Sequence, residues 1–190
     1  SKVQNTRLSV NINKIATLRN ARGGDIPDLL QAATRIQSFG GQGITVHPRP
    51  DERHITYQDV RELRPLVYRE FNIEGYPSEN FIKLVLDVKP EQVTLVPDPP
   101  NVITSNAGWD VLKNEQMLKE VIRLFSQAGI RTSLFMDTSE EGIHAAAQTG
   151  TNRIELYTED YALRHKVIGE DAAIPYARAA TLAHGLGLGI

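Results

Sequence analysis

Short apolar runs rich in β-branched residues recur along the chain, and each is followed by a turn and then by apolar residues at helical spacing. The strand candidates are residues 8–12, 43–47, 71–74, 92–96, 132–136 and 153–157, with an incomplete run at 186–190. Their spacing averages about 30 residues, the size of a βαβ unit. Between them, residues 28–39 place Leu29, Leu30, Ala33 and Ile36 on one helical face and stop at Gly40-Gly41. Thr56 with Asp59 three residues on has the form of a capping box opening a helix over 57–69. Ser78 and Glu79 open 80–88, which halts before Pro90. The spacing predicts further helices over 114–127, 142–148 and 172–184.

This alternation argues for a parallel sheet with helical crossovers, either an open doubly wound sheet or a (β/α) barrel. Two observations favour the barrel. No Gly-x-Gly-x-x-Gly turn follows the first strand candidate, where a dinucleotide-binding open sheet would carry one. Non-apolar residues also share one parity on most strands: Asn11 with Asn13; Thr45, His47 and Arg49; Asn72 and Glu74; Ser133 and Asp137; Arg153 and Glu155. Side chains alternate along a strand, so each set points to a single face, which in a closed barrel is the interior. The fold class expected is therefore α/β, a (β/α)8 TIM barrel. Residues 1–190 form one barrel domain whose C-terminal part is missing, because eight strands take about 250 residues and Ile190 falls inside strand seven.

Composition narrows the partners. With 21 Lys and Arg against 23 Asp and Glu, the chain carries a formal charge of -2, not the basic footprint of a nucleic-acid binder. The absence of cysteine excludes disulfides, zinc-thiolate sites, iron–sulfur clusters and a cysteine nucleophile. No apolar run approaches the roughly 18 residues of a membrane span, and the polar start lacks a signal-peptide core, so a cytoplasmic protein without membrane association is expected.

Three clusters carry candidate chemistry. After the first strand, Lys14, Arg19 and Arg22 lie in a stretch read as a loop beside Gly23-Gly24, suited to gripping a phosphate or, more plainly, to being solvated. His47 ends the second strand, with Arg49, Arg53 and His54 in a proline-punctuated loop; His47 fits proton transfer or a core hydrogen bond. Glu74 and Glu155 are lone carboxylates on apolar strands, where burial would raise their pKa toward that of a general base, although a structural ion pair would also explain them. No His-x-x-x-His or acidic triplet supports a metal site. Residues 97–113 and 159–171 are long for βα connections and read as binding loops or lids, the first offering Thr104, Ser105 and Asn106. His144, His165 and His184 read as surface or packing residues.

Taken together, Val10-Asn-Ile-Asn-Lys-Ile-Ala-Thr-Leu-Arg-Asn-Ala-Arg-Gly23, Gly43-Ile-Thr-Val-His-Pro-Arg49, Arg53-His-Ile-Thr56 and Asn72-Ile-Glu74 resemble the pyridoxine 5'-phosphate synthase family of deoxyxylulose-dependent vitamin B6 biosynthesis. Leu95-Val-Pro97, Ile103-Thr-Ser105, Ser133-Leu-Phe-Met-Asp137 and Ile154-Glu-Leu-Tyr157 continue the resemblance in order. It implies a (β/α)8 barrel assembled as a homo-octamer. It also implies a transferase that condenses 3-amino-2-oxopropyl phosphate with 1-deoxy-D-xylulose 5-phosphate, releasing phosphate and water without a cofactor or metal.

Carried over residue by residue, Glu74 matches a general base, His47 a second proton-transfer residue and Glu155 a carboxylate that stabilises the transition state. Asn11 and Arg22 match contacts to the amino-ketone phosphate; Arg49, His54 and Thr104 match contacts to the deoxyxylulose phosphate. Asn13-Lys14 stand where the family often has Asp-His in the sugar-phosphate site. The resemblance places a general-acid histidine and a strand-eight glycine loop beyond Ile190. Two other readings compete: a metal-dependent sugar-phosphate epimerase or aldolase using His47, Glu74 and Glu155 as ligands, and a non-catalytic phosphometabolite-binding remnant.

Overall fold

A computed structural model describes residues 6–97 and 108–190. Six strands, β1 (Ser9–Asn11), β2 (Gly43–Val46), β3 (Glu70–Gly75), β4 (Gln92–Leu95), β5 (Arg131–Met136) and β6 (Arg153–Leu156), form one sheet in the order β1-β2-β3-β4-β5-β6. Every neighbouring pair is parallel. Sequential parallel pairing requires a crossover between each pair, and helices supply them: α1 (Asn13–Arg22), α2 (Leu29–Ser38), α3 (Tyr57–Leu63), α4 (Glu79–Val88), α5 (Val111–Gln127), α6 (Glu140–Ala147), α7 (Glu159–Ile168) and α8 (Ile174–Gly185).

The sheet is half of a barrel. The expected seventh strand at 186–190 is reduced to one parallel bridge, Arg153 with Gly189, where the Ile154 N–H donates to Gly189 O at 2.9 Å and the Gly189 N–H to Asn152 O at 3.0 Å. Gly189 thus occupies a seventh position beside β6.

The parity argument describes the sheet well. One face carries Ile44, Val46, Phe71, Ile73, Val93, Leu95, Leu134, Met136 and Ile154, all buried, and these share one core with Leu29, Ala33, Val60, Phe81, Leu84, Leu118, Ile122, Phe125 and Ile143 of the helices. The other face, the lumen, is polar. Ser9 and Thr45 hydroxyls meet at 2.7 Å, Asn72 Nδ2 donates to Thr45 Oγ1 at 3.4 Å, and Thr94 Oγ1 donates to Asn72 Oδ1 at 3.0 Å. Toward the N-terminal ends of the strands, Arg131 bonds Gln92 Oε1 at 2.7 Å and pairs with Glu70. Buried Thr45, Asn72 and Thr94 thus satisfy one another across β2 to β4, as buried polar groups must.

Local chemistry sets most helix starts. The Thr56–Asp59 capping box is formed at α3, and Asp28, Ser78, Asp110 and Ser139 cap α2, α4, α5 and α6 through their side chains. Two segments depart from the sequence reading. Residues 13–22 are helical, not a loop: Ile12 caps α1 without a side-chain bond, and the helix closes on Gly23 at φ 70°. The expected lid over 159–171 is α7 followed by a 3-10 turn (Gly169–Ala173), because the stretch contains no glycine or proline before Gly169, where φ reaches 68°. The helix expected over 57–69 ends early at Leu63, where Pro65 turns the chain into a 3-10 segment (Arg64–Leu66). Of the other long loop, Thr104, Ser105 and Asn106 lie outside the described residues.

Candidate active site

At the C-terminal ends of β2, β3 and β6 the polar face ends in His47, Glu74 and Glu155. β3 and β4 pair Glu74 with Thr94, and β5 and β6 pair Phe135 with Glu155, so both carboxylates belong to the lumen rows. Burial pushes the Glu74 carboxyl up to about 8, with the Glu155 charge adding to it, and desolvation pushes Glu155 up as well. The two acids titrate as a pair, and a carboxyl that holds its proton near neutrality is matched to proton transfer. His47 moves the opposite way, down to about 4, through burial and then through the positive charges of Arg49 and His54. It is therefore neutral at pH 7 and able to accept a proton or a hydrogen bond.

The phosphate candidates lie on β1, on α1 and in the loop after β2, with Lys14 and Arg22 at opposite ends of α1. Asn11 Oδ1 accepts the N–H of Asn13 at 2.9 Å, and Asn13 Oδ1 accepts the N–H of His47 at 2.9 Å. Both asparagines spend their carbonyl oxygens in tying β1, α1 and β2 together, so the donors they offer a ligand are their Nδ2 groups. Lys14 is exposed in the first turn of α1, and Arg22 is exposed in its last. Arg49 lies 3.7 Å from Asp51, and Asp51 also binds Arg53 at 2.7 Å. Thr104 lies outside the described residues.

Arg19 does not join them. Its guanidinium makes two 2.8 Å bonds to Asp59 of α3 and reaches His54 O at 3.4 Å, so the suggested phosphate grip by Lys14, Arg19 and Arg22 loses its middle member to a structural ion pair. Beside it, Asn20 Nδ2 donates to the carbonyls of Arg53 and His54 at 3.0 and 2.9 Å, and Thr17 Oγ1 lies 3.1 Å from His54 Nδ1. The sequence reading missed these supports because it took α1 for a loop; helical spacing of Asn13, Thr17 and Asn20 is the signal that reveals them. Phe135 and Tyr157, which the sequence reading quotes within the resembling motifs without giving them a role, bring their rings edge-to-face at 5.7 Å and share the parity of Glu155. His144, His165 and His184 are exposed, as expected. Among the described residues no three His, Asp or Glu side chains converge as a metal site, and no helix is long and apolar enough to cross a membrane.

Comparison with known proteins points one way. Pyridoxine 5'-phosphate synthases of Flavobacterium johnsoniae and Christiangramia forsetii are each 62% identical over 185 residues, 97% of this chain and 78% of theirs. That of Bacteroides thetaiotaomicron is 57% identical over the same share. Among solved structures, mandelate oxidase with (S)-2-phenylpropionate matches with a TM-score of 0.62 at 13% identity, over 95% of this chain and 65% of that one, which speaks for a shared TIM-barrel-like fold alone. The family profile of the pyridoxal phosphate biosynthesis protein PdxJ matches residues 8–190, and the chain belongs to that family.

Proposed function

We propose that this lumen mouth condenses 3-amino-2-oxopropyl phosphate with 1-deoxy-D-xylulose 5-phosphate into pyridoxine 5'-phosphate, with release of phosphate and water. Family membership and the printed name of the relatives support the product. The observation that carries the chemistry is the pairing of two carboxyls held above their ordinary range with a histidine held neutral. Joining an amine to a ketone, losing water and closing an aromatic ring require a proton to be taken and returned several times. Glu74, which starts protonated at neutral pH, gives its proton to the hydroxyl that leaves as water and then, ionised, takes a proton back as the base. His47, uncharged, is the second acceptor. Glu155 faces the cationic centre that forms as the amine condenses and stabilises it by charge.

Two phosphates need fixed donors. Arg49 and His54, with Thr104, take the deoxyxylulose phosphate; Arg22 and Asn11 take that of the amino ketone; Asn13 and Lys14 line the sugar side. Arg supplies a forked pair of charged donors matched to an oxyanion. The fold is completed as an eight-stranded barrel, a reading supported by the pairing of Gly189 beside β6, and the protein works as a cytoplasmic homo-octamer without a metal or cofactor. The test mixes both phosphorylated substrates with the purified full chain in the presence of a chelator and follows pyridoxine 5'-phosphate by chromatography. Product is expected from the wild type and not from Glu74→Gln. No product from the wild type, or equal product from the variant, overturns the assignment.

A further inference from the structure

Thr17 stands in the second turn of α1, exposed, with its hydroxyl between two groups. It donates to the carbonyl of Asn13 at 3.1 Å and lies 3.1 Å from His54 Nδ1. A threonine hydroxyl has one hydrogen. With that hydrogen on Asn13 O, which can only accept, the oxygen meets His54 as an acceptor, and both contacts are satisfied together only when Nδ1 carries a hydrogen. The rest of the residue is fixed independently: Asn20 and Arg19 hold the His54 carbonyl, and Asp59 holds Arg19.

We infer that Thr17 is a positioning residue that locks His54 as the Nδ1–H tautomer, so that the ring offers a donor at Nε2 only when it takes up a second proton. A neutral ring would turn an Nε2 lone pair toward a phosphate, which repels it; a phosphate at Nε2 therefore binds together with a proton. The inference rests on the proposed role of His54 in binding the sugar phosphate. The titratable and charged groups around the ring are the neutral His47 with Arg49 at the end of β2, Asp51, Glu52 and Arg53 in its own loop, where Asp51 pairs with both arginines, Lys14 and Arg19 from α1, and Asp59 from α3. Arg19 and Asp59 cancel as a pair. A phosphate dianion at Nε2 supplies the opposite charge that the added proton needs, which ties protonation to occupancy.

Thr17→Val is nearly isosteric at an exposed position and removes both bonds; Thr17→Ser keeps the hydroxyl. In the free wild-type protein, long-range nitrogen–proton spectra of the histidines are expected to show His54 with a protonated Nδ1 and a bare Nε2, and 1-deoxy-D-xylulose 5-phosphate to protonate Nε2. Calorimetry of the same ligand in buffers of different ionisation enthalpy is expected to show proton uptake and an affinity that falls as pH rises. Thr17→Val is expected to lose about three- to tenfold in affinity at low pH, the range for one hydrogen bond, and to flatten the pH dependence, while Thr17→Ser restores it. An affinity loss equal at every pH would mean a merely structural threonine and overturns the inference. So does a protonated Nε2 with a bare Nδ1 in the free wild type. If the tautomer is as stated but the sugar phosphate leaves both nitrogens unmoved, the assignment of His54 to the phosphate is wrong, and the coupling falls with it.

Discussion

Glu74→Gln should make the protein more stable while it abolishes turnover. In the folded protein Glu74 is pushed to about 8, against an ordinary value of 4.5. A carboxyl whose folded pKa is raised loses stability as pH rises: above about 4.5 the unfolded chain releases the proton, while the folded chain keeps it until about 8. One pKa unit corresponds to about 1.36 kcal/mol, so by pH 7 the wild type carries a penalty of order 3 kcal/mol that is absent at pH 4. Glutamine has the same size and no proton to lose, so it removes the penalty. Urea unfolding of both proteins at pH 4, 5.5 and 7 measures it. Near pH 4 the two should match. By pH 7 the variant should gain about 1 M in midpoint, given a slope near the upper end of 1–3 kcal/mol per M. Because Glu74 and Glu155 titrate as a pair, Glu155→Gln should recover part of the same gain. Parallel stability curves for wild type and Glu74→Gln across this range would refute the reasoning, since they would mean that Glu74 ionises in the folded lumen as easily as in water.

His47 should stay neutral from pH 8 down to 5 and titrate near 4 in histidine NMR spectra; a midpoint near 6.5 would show that burial does not govern it. Since the unfolded histidine protonates first, its share of stability should fall as pH drops from about 6.5 to 4. Asp59→Asn should cost about 2–3 kcal/mol in urea unfolding, because Arg19 and Asp59 are only 15% and 12% exposed and two charge-assisted bonds are lost. Burial disfavours the Asp59 charge, but the bonds from Arg19 and Thr56 outweigh it and hold the carboxyl below its ordinary range. The wild-type advantage is therefore full above about pH 4 and should fade below it; a loss unchanged at pH 2.5 would argue against the ion pair. Gly75→Ala should cost about 1–3 kcal/mol by thermal denaturation, since its Cβ would run into the ring of Phe81. An unshifted melting temperature would show that Phe81 yields freely.

The strands and the three mouth residues were legible because a strand encodes its faces in alternation, and Glu74 and Glu155 each sit at the odd positions that the apolar neighbours avoid. The capped helices were legible because Thr56 with Asp59, Ser78 and Ser139 announce themselves locally. α1 was not. Its start has no side-chain cap, Leu18 is exposed and only Ala16 is buried, so the helix shows no apolar stripe; what holds it is hydrogen bonding from Thr17, Arg19 and Asn20 to residues some 35 positions away. α7 escaped notice for a related reason, with Leu163, Val167 and Ile168 turned outward. Nor does any local pattern pair Arg19 with Asp59, which is why that arginine was grouped with the phosphate candidates.

The row of Ser9, Thr45, Asn72 and Thr94 across the sheet works as a vernier. Sliding a strand by one residue would exchange its two faces and is forbidden by the apolar core. Sliding it by two keeps every side chain on its proper face, and the in-and-out pattern alone would tolerate it. The polar row would not: Asn72 and Thr94 would face the wrong rungs and leave buried groups unsatisfied, at roughly 1–3 kcal/mol each. Such a slip would also carry Glu74 about 7 Å along the strand, at some 3.3 Å per residue, away from the level of Glu155. The middle of the lumen thus fixes the height at which its acids stand, and a substitution there should be read first as a change in the alignment of the mouth.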